Sequence, residues 1–225
     1  YGNGPVYEVL GKRYTVMPSS SGYQERGVAS WYGKKFHGNL TSNREVYDMY
    51  AMTAAHKTLP LPTYVRVRNL SNNKSIVVRV NDRGPFVHNR IIDLSYAAAI
   101  KLDMIKDGTS LVEVTAINFD QPQGDRPVRA SSPPSPEPTG PALPAVTANR
   151  IYVQVGAFGE RANAQRRLGA LAQAGIGNAF VHEELTAGRI LYRVRIGPIA
   201  DVVQYDVVVD ELAAMGINDP YLISE

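Results

Sequence analysis

The fold of the N-terminal half is decided by residues 64–80, whose sequence is YVRVRNLSNNKSIVVRV. Two runs in which apolar and charged residues alternate flank a polar turn, and this pattern predicts a β-hairpin. The valines of both runs are expected to face a core: Val65, Val67, Val78 and Val80. Similar β-type runs at 27–32 and 111–117, with a predicted helix at 95–102 capped by Ser95, complete a pattern typical of a small β-barrel.

An acidic turn follows the second run directly, at Asn81–Phe86. Asp82 in this turn presents a carboxylate where a strand ends, which is a usual place for a ligand cleft at a barrel mouth. The same residues also fit ordinary turn chemistry, in which the Asp side chain bonds its own backbone. Upstream, a polar loop offers Glu45, and His56 lies between small apolar residues. A lone histidine there is more often a buried core residue, but its company with two carboxylates makes the three residues a candidate catalytic site.

The composition of the chain restricts the chemistry that it can perform. Its 225 residues are 44% hydrophobic and 20% charged, which is the composition of a folded protein. No window approaches the roughly 18 apolar residues of a membrane span, and the first residues do not read as a signal peptide. The absence of cysteine excludes disulfides, thiolate zinc sites and a Cys nucleophile. The histidines show no ligand spacing and no serine lies on a nucleophile-elbow pattern, so we expect neither a metal nor a cofactor.

A proline-rich segment divides the chain. Residues 121–149 contain 8 of the 15 prolines and almost no large apolar side chain, so they predict a flexible linker. The expected order is an extended lead-in at 1–25, a β-barrel at 26–120, the linker, and a second domain at 150–225. Residues 1–120 hold 15 basic and 10 acidic side chains, against 7 and 9 in the second domain. This modest asymmetry lacks the clustered basic residues of a nucleic-acid binder.

The second domain follows the order strand, helix, strand, strand, helix, strand, which predicts an α+β domain with both helices on one face of an antiparallel sheet. Alternation along the strands assigns five side chains to the opposite, open face: Tyr152, Gln154, Phe158, Arg193 and Arg195. Such a face suits a sugar chain, because rings stack on apolar sugar faces and planar polar groups bond hydroxyls. An ordinary solvated sheet face is the alternative that alternation leaves open.

Five motifs in residues 26–120 resemble the rare lipoprotein A family. They are GVASWYG at 27–33, the loop ending in Glu45, TAAHKTLP at 53–60, VNDRGPF at 80–86 and RIIDLS at 90–95. The resemblance implies an all-β double-psi β-barrel, related in shape to expansins. It also implies a bacterial lytic transglycosylase that cuts the bond from N-acetylmuramic acid to N-acetylglucosamine in peptidoglycan strands stripped of stem peptides. The family's catalytic residues fall on Asp82, Glu45 and His56, and substrate contacts are expected at Trp31, Tyr32, Arg83 and Phe86.

One position departs from the family, which usually has Gly before the loop glutamate where this chain has Arg44. If that position needs a positive φ, the loop is strained or bent differently here. Asn73, at a turn position where Gly is common, is a milder departure because Asn tolerates left-handed geometry.

The mechanism that these residues suggest starts from the needs of glycosidic cleavage: a proton for the leaving oxygen and stabilisation of an oxocarbenium-like centre. Asp82 is the candidate acid, Glu45 would stabilise positive charge or raise the pKa of Asp82, and His56 would orient one of them. The muramic acid 6-hydroxyl attacks in place of water, which leaves a 1,6-anhydro end. The alternative is a barrel that binds or loosens glycan without cutting it, as expansins do with plant walls.

Two motifs of the second domain, YVQVGAF at 152–158 and YRVRIGP at 192–198, resemble the sporulation-related repeat (SPOR) domain. That family binds denuded glycan and concentrates its proteins at the division septum, which adds Gly156 to the expected binding residues. The two resemblances together imply a periplasmic, monomeric protein whose partner is the denuded glycan strand. Membrane attachment is expected only through the lipid anchor of an outer-membrane lipoprotein, whose acylated Cys is absent from this sequence.

Overall fold

The structure is a computed structural model that describes residues 2–87, 89–118, 150–186, 188–218 and 220–225. The predicted linker at 121–149 lies outside the described residues. Within the described ranges, no helix combines the length and the apolar character that crossing a membrane requires.

The N-terminal segment contains a two-stranded antiparallel hairpin, β1 (Val6–Val9) and β2 (Lys12–Thr15). Its turn residues Leu10 and Gly11 both have positive φ, 53° and 73°, as in the two-residue turns that suit the twist of a hairpin. The expected extended lead-in therefore holds regular structure. The sequence did not indicate this hairpin, because leucine is an uncommon residue at positive φ.

Six strands follow and close into a barrel. They are β3 (Gln24–Tyr32), β4 (Thr53–His56), β5 (Thr63–Asn69), β6 (Ser75–Asp82), β7 (Arg90–Ser95) and β8 (Thr109–Ala116). The order around the barrel is β3-β7-β4-β6-β5-β8. The β3/β7 and β4/β6 pairs are parallel, and the other neighbours are antiparallel. This closed, mixed barrel is the double-psi architecture that the sequence predicts.

The central hairpin, β5 and β6, contributes four residues to the barrel core. The four alternating valines of this hairpin are buried, as predicted: Val65, Val67, Val78 and Val80. The predicted helix is α1 (Tyr96–Lys101), and the Ser95 Oγ caps it by accepting a hydrogen bond of 3.2 Å from the Ala98 amide. Ala98 and Ala99 are buried against the barrel, so this short helix covers part of the core.

The second domain has the predicted order of strands and helices. Its elements are β9 (Ile151–Phe158), α2 (Arg161–Gln173), β10 (Ala179–Thr186), β11 (Arg189–Ile199), α3 (Val202–Ala214) and β12 (Tyr221–Ser224). The strands form an antiparallel sheet in the order β10-β11-β9-β12. Asp201 caps α3 by accepting a hydrogen bond of 2.8 Å from the Gln204 amide. The predicted two-helix, antiparallel-sheet domain is confirmed.

A β-bulge interrupts the alternation in β9. The register between β9 and β11 shifts beside Val155, which is the extra residue on its strand. Tyr152 and Gln154, which precede the bulge, lie on the face away from the helices, as predicted. Beyond the bulge the phase reverses, and Phe158, paired with Tyr192, packs against the hydrophobic core. The prediction that Phe158 lies on the open face was therefore wrong.

Candidate active site

A cleft of about 720 Å³ opens at one end of the barrel. Two carboxyl groups line it, those of Asp82 at the end of β6 and Asp93 in β7. Ala55 of β4 pairs with Asp82 on one side and with Asp93 on the other. Because neighbouring strands lie about 4.8 Å apart, the Cα atoms of Asp82 and Asp93 are separated by roughly 10 Å. The cleft is also rich in aromatic side chains: Trp31, Tyr32, Phe36, Tyr47 and Phe86.

Asp82 is held by the polar loop upstream of β4. Its Oδ1 accepts hydrogen bonds from the Ser42 amide (2.8 Å), the Ser42 hydroxyl (2.6 Å) and the Arg83 amide (2.8 Å). The side chain is half-buried rather than enclosed. Its orientation is therefore fixed while it remains accessible to a molecule in the cleft.

Asp93 is the second acid of the cleft, and it is not among the residues that the sequence predicted for the site. It accepts a hydrogen bond from the Ser30 hydroxyl, which in turn accepts one of 2.9 Å from Arg90. Burial raises the pKa of Asp93, and this effect exceeds the lowering by the Ser30 bond and by the charges of Arg90 and Lys57. An acid within the apolar run RIIDLS was the available signal, because a charged residue in a half-buried strand requires a partner or a task.

Glu45 lies outside the residues that line the cleft, where it is fully engaged by neighbouring side chains. Arg79 grips both carboxylate oxygens, with N–O distances of 2.6 and 2.5 Å. Asn81 and Asn43 donate further hydrogen bonds of 2.8 and 2.9 Å. These donors, Arg79 first, lower the pKa of Glu45 to about 2. Glu45 is therefore ionised and anchors its loop.

His56 is 2% exposed and does not line the cleft. Its Nδ1 accepts hydrogen bonds from the amides of Thr58 and Leu59, at 3.2 and 3.1 Å. The proton of the neutral ring is therefore on Nε2, which lies 2.7 Å from the Tyr23 hydroxyl and donates to it. Tyr23 donates in turn to Glu25. Burial lowers the pKa of His56 to about 3, so the imidazole is neutral at physiological pH.

The predicted substrate contacts of the barrel divide into two groups. Trp31, Tyr32 and Phe86 line the cleft. Arg83 also borders it, but its guanidinium donates hydrogen bonds to backbone carbonyls: Gly2 at 2.9 and 2.7 Å, Leu59 at 2.5 Å and His56 at 3.2 Å. Arg83 therefore ties the N-terminal segment to the barrel.

Arg44 adopts a φ of 68°, in the left-handed region that favours glycine. The backbone at this position therefore has the positive φ that the usual glycine of the family would adopt easily. The loop reaches Asp82 and Glu45 in spite of this strain. Asn73 has a φ of 60°, and asparagine tolerates this left-handed conformation better than the arginine at position 44 does.

The predicted binding face of the second domain is closely packed. Tyr152, Gln154 and Arg195 are only 7%, 8% and 4% exposed. Arg195 forms an ion pair with Glu225, and Arg193 one of 2.5 Å with Glu184. Among the described residues, the buried Gln154 Oε1 and Arg195 Nε have no hydrogen-bond partner. A ligand that reaches this face would find polar atoms that the protein itself does not satisfy.

Gly156 lies just beyond the bulge on the same strand. A Cβ atom at this position would lie 2.8 Å from the ring of Phe158, so only glycine fits beside that ring.

A second large cavity, of about 740 Å³, lies where the barrel meets the second domain. Contacts across this boundary include hydrogen bonds from Arg26 to the Leu222 carbonyl (3.3 Å) and from Asn89 to Asp206 (2.6 Å). Among the described residues that line this 740 Å³ cavity, Glu25 is the only one with a carboxyl side chain, and that side chain is exposed. The pair of acids therefore singles out the barrel cleft as the candidate active site. In the described part of the chain, no three His, Cys, Asp or Glu residues form a group that could hold a metal ion.

Comparison with protein families agrees with this division. Residues 24–114 match the family model described as lytic transglycolase, and residues 147–224 match the SPOR domain. The barrel, its acid-lined cleft and these matches define a lytic transglycosylase carrying a SPOR domain.

The curated relatives are named "Endolytic peptidoglycan transglycosylase RlpA". A protein from Pseudomonas aeruginosa strain UCBPP-PA14 is 37% identical over 265 aligned positions, covering 98% of this chain and 78% of the relative. One from Neisseria meningitidis serogroup B is 41% identical, covering 85% and 72%. One from Vibrio cholerae is 58% identical over 127 residues, and this match spans 56% of the chain and about half, 48%, of the relative. The chain belongs to the RlpA family of endolytic peptidoglycan transglycosylases.

Two solved structures are also similar to parts of the chain. The crystal structure of the RlpA SPOR domain from Pseudomonas aeruginosa is 27% identical with a TM-score of 0.31, covering 32% of this chain and 96% of that one. A mutant expansin from Clavibacter michiganensis, in complex with cellohexaose, is 14% identical with a TM-score of 0.36, covering 60% and 70%.

Proposed function

We propose that the barrel cleaves the β-1,4 bond from N-acetylmuramic acid to N-acetylglucosamine in peptidoglycan strands without stem peptides, and leaves 1,6-anhydro ends. The observation that carries this proposal is the pair of carboxyl groups on either side of Ala55 in one cleft. Their environments differ. Burial raises the pKa of Asp93, which accepts a hydrogen bond from the Ser30 hydroxyl, whereas the Ser42 amide, the Ser42 hydroxyl and the Arg83 amide all donate to Asp82. Two carboxyl groups in unlike environments are the usual equipment for acid and base roles at one bond.

In the proposed reaction Asp93 is the acid. It donates its proton to the bridging oxygen as the bond from that oxygen to the muramic acid C1 breaks, and the N-acetylglucosamine departs with a free 4-hydroxyl. The muramic acid 6-hydroxyl attacks C1 and forms the 1,6-anhydro ring, while its proton passes to Asp82. No water is consumed, and intramolecular attack benefits from a high effective concentration. Asp82, the acid favoured by the sequence, is thus assigned the base role, because burial favours the protonated form of Asp93.

Glu45 and His56 are proposed as positioning residues. Glu45 accepts hydrogen bonds from Asn43 and Asn81. Asn43 follows Ser42 in the chain and Asn81 precedes Asp82, so these bonds support the contact between Ser42 and Asp82. His56 fixes the turn whose carbonyls hold Arg83. Loss of either residue would disturb the cleft without removing a group that transfers a proton.

The aromatic side chains of the cleft are proposed to bind the sugars on either side of the cleaved bond. Trp31, Tyr32 and Phe86 offer apolar faces for sugar rings, and the rim carries Lys34, Lys35 and Arg90, whose positive charge suits the carboxylate of muramic acid without its peptide. Sugar rings without attached peptides would fill such a cleft, and the family resemblance supports the same preference.

The second domain is proposed to bind denuded glycan and to retain the enzyme at the division septum of a periplasmic cell wall, as a monomer attached through an outer-membrane lipid anchor. Residues 121–149 would act as a tether that raises the concentration of substrate near the barrel. Binding would use the face that carries Tyr152, Gln154 and Arg195, where unpaired buried polar atoms support a ligand contact.

Mass spectrometry of digested denuded peptidoglycan tests the reaction. We expect anhydro-ended products from the wild type, and a rate about 10²- to 10⁴-fold lower for Asp93→Asn and for Asp82→Asn. Asp103→Asn is the matched control, because that side chain is exposed and does not line the cleft. Reducing ends would indicate a hydrolase, and unchanged glycan would favour an expansin-like binding protein.

A substrate with a good leaving group separates the two roles. Such a substrate needs little protonation, so it should restore the rate of Asp93→Asn but leave Asp82→Asn slow. Rescue of Asp82→Asn alone would reverse the assignment.

A further inference from the structure

The N-terminal hairpin packs directly against the rim of the active-site cleft. The Tyr7 hydroxyl donates a hydrogen bond of 2.7 Å to the Lys57 carbonyl. The Leu61 amide donates one of 2.7 Å to the Asn3 side chain, and Arg83 donates two to the Gly2 carbonyl. These attachments join the first residues to the barrel on the side where Asp82 lies.

Three aromatic rings, Tyr7, Tyr14 and Phe86, form a cluster between the hairpin and the barrel, which we call the hairpin ring cluster. Tyr7 and Tyr14 are stacked, with ring centroids 5.2 Å apart and planes inclined by 18°. Phe86 meets Tyr14 at 5.5 Å and Tyr7 at 6.4 Å. The Arg83 guanidinium lies 5.6 Å from the centre of the Tyr7 ring. The cluster is thus held in place from both sides.

A cavity of about 280 Å³ lies against this cluster, lined by Gly2, Tyr7, Ser42, Arg83 and Phe86 among others. Arg83 and Phe86 also line the 720 Å³ cleft, so the two cavities adjoin. Ser42, which borders the smaller cavity, donates a hydrogen bond of 2.6 Å to Asp82. The smaller cavity therefore lies beside the part of the cleft that Asp82 lines.

We propose that the cavity at the hairpin ring cluster is an additional saccharide subsite, which binds a sugar of the glycan strand beyond the two that flank the cleaved bond. This inference rests on the proposed function, because it takes a glycan in the cleft as given. The lining has the chemistry of a site for a neutral sugar such as N-acetylglucosamine. The ring faces of Tyr7 and Phe86 are apolar, and the Ser42 oxygen, which donates to Asp82 and accepts from the Arg83 amide, can accept one further hydrogen bond from a sugar hydroxyl. The guanidinium of Arg83 already donates to backbone carbonyls, so it is not free to bind a carboxylate or phosphate with two parallel hydrogen bonds.

The first test compares long denuded strands with the denuded disaccharide of N-acetylmuramic acid and N-acetylglucosamine, which has no sugar beyond the cleaved bond, as substrates for the full chain. A ring contact of this kind is worth on the order of 1 kcal/mol, or about three- to tenfold in affinity. Tyr7→Ala should therefore raise KM for long strands about three- to tenfold, with a much smaller effect on kcat. Tyr7→Phe, which keeps the ring but loses the bond to Lys57, should stay within about twofold of the wild type. Tyr64→Ala is the matched control, since that tyrosine is 41% exposed and borders neither cavity.

The outcomes separate a subsite from a purely structural hairpin. If Tyr7→Ala lowers kcat equally for both substrates, or if Tyr7→Phe is impaired as much as Tyr7→Ala, the ring supports the fold and the inference is overturned. An unchanged KM for long strands in Tyr7→Ala overturns it as well. A wild type that releases no product from either substrate contradicts the proposed function instead.

A binding measurement tests the subsite without relying on catalysis or on a hairpin variant. The Asp93→Asn protein is titrated with long denuded strands and with the disaccharide while its backbone amide NMR signals are recorded. Long strands should shift the amide signals of Gly2, Gly4 and Val9, which line the smaller cavity. The disaccharide should shift only signals of the main cleft such as Gly33. Shifts at Gly33 without any at the hairpin, under long strands, would refute the subsite while leaving glycan binding intact.

Discussion

Replacement of His56 by alanine should destabilise the barrel strongly at neutral pH and less in acid. The buried imidazole accepts hydrogen bonds from the amides of Thr58 and Leu59 and donates one to Tyr23. Its removal leaves two enclosed amides without an acceptor, at about 1–3 kcal/mol each, and opens a cavity beneath the turn. The sum is about 4 kcal/mol at pH 6.5.

The pH dependence follows from the folded-state pKa of about 3, against about 6.5 in the unfolded chain. Between these values the unfolded chain binds more protons than the folded one. The stabilisation by neutral His56 is therefore complete above the unfolded pKa and is lost as pH falls, at up to about 1.4 kcal/mol per pH unit. At pH 5 the wild type has lost about 2 kcal/mol, so the difference from His56→Ala should shrink from about 4 to about 2 kcal/mol.

Urea denaturation at pH 6.5 and pH 5 measures this difference. Trp31 is the single tryptophan of the chain and lies in the barrel, so its fluorescence follows the unfolding of the barrel rather than of the second domain. His37→Ala, at a side chain 44% exposed, controls for the loss of an imidazole as such. A wild-type advantage that stays constant or grows between pH 6.5 and pH 5 would refute the picture of a buried, neutral His56.

Three further changes probe the remaining contacts. Arg44→Gly should stabilise the barrel by up to about 1 kcal/mol in urea denaturation, because relief of left-handed strain outweighs the added flexibility of glycine; a loss of stability would contradict this. Because the pKa of Glu45 is lowered to about 2, its ionised carboxylate stabilises the fold above about pH 4.5, and this stabilisation is lost as the pH falls towards 2. Glu45→Gln removes the carboxylate and therefore this stabilisation. Screening of this 40% exposed side chain limits the effect to about 1 kcal/mol, and the Gln variant should match the wild type at pH 2. Gly156→Ala should lower the melting temperature of the second domain, since the new methyl group meets the Phe158 ring at 2.8 Å and overpacking costs about 1–3 kcal/mol; an unchanged melting temperature would indicate that the ring moves freely.

Much of the fold could be predicted because burial follows the period of each element. Val65 and Val78 alternate with charged residues, and alternation alone assigns them to the barrel core. Ser95 marks the start of α1 because its hydroxyl satisfies a free amide. The bulge at Val155 carried no such signal, since an apolar residue fits either face, and one extra residue reversed the orientation of Phe158.

The candidate site was harder to predict, because the state of an acid depends on partners that are distant in sequence. Glu45 meets Arg79 and His56 meets Tyr23 only after the barrel closes. Residue spacing therefore identified groups capable of chemistry but could not distinguish an anchored carboxylate from an accessible one. Asp93 was passed over for the same reason, since its burial next to Ser30 arises from the pairing of β3 with β7.

The position of Ala55 between the two acidic residues has a consequence for how this enzyme type can diversify. The gap between Asp82 and Asp93 is set by two backbone ladders, not by loops. Insertions or substitutions in the segments around the rim can therefore change which polysaccharide binds, while the distance between the two acidic residues stays the same. Grafting a foreign rim onto these three strands is accordingly a rational route to new wall-degrading specificities.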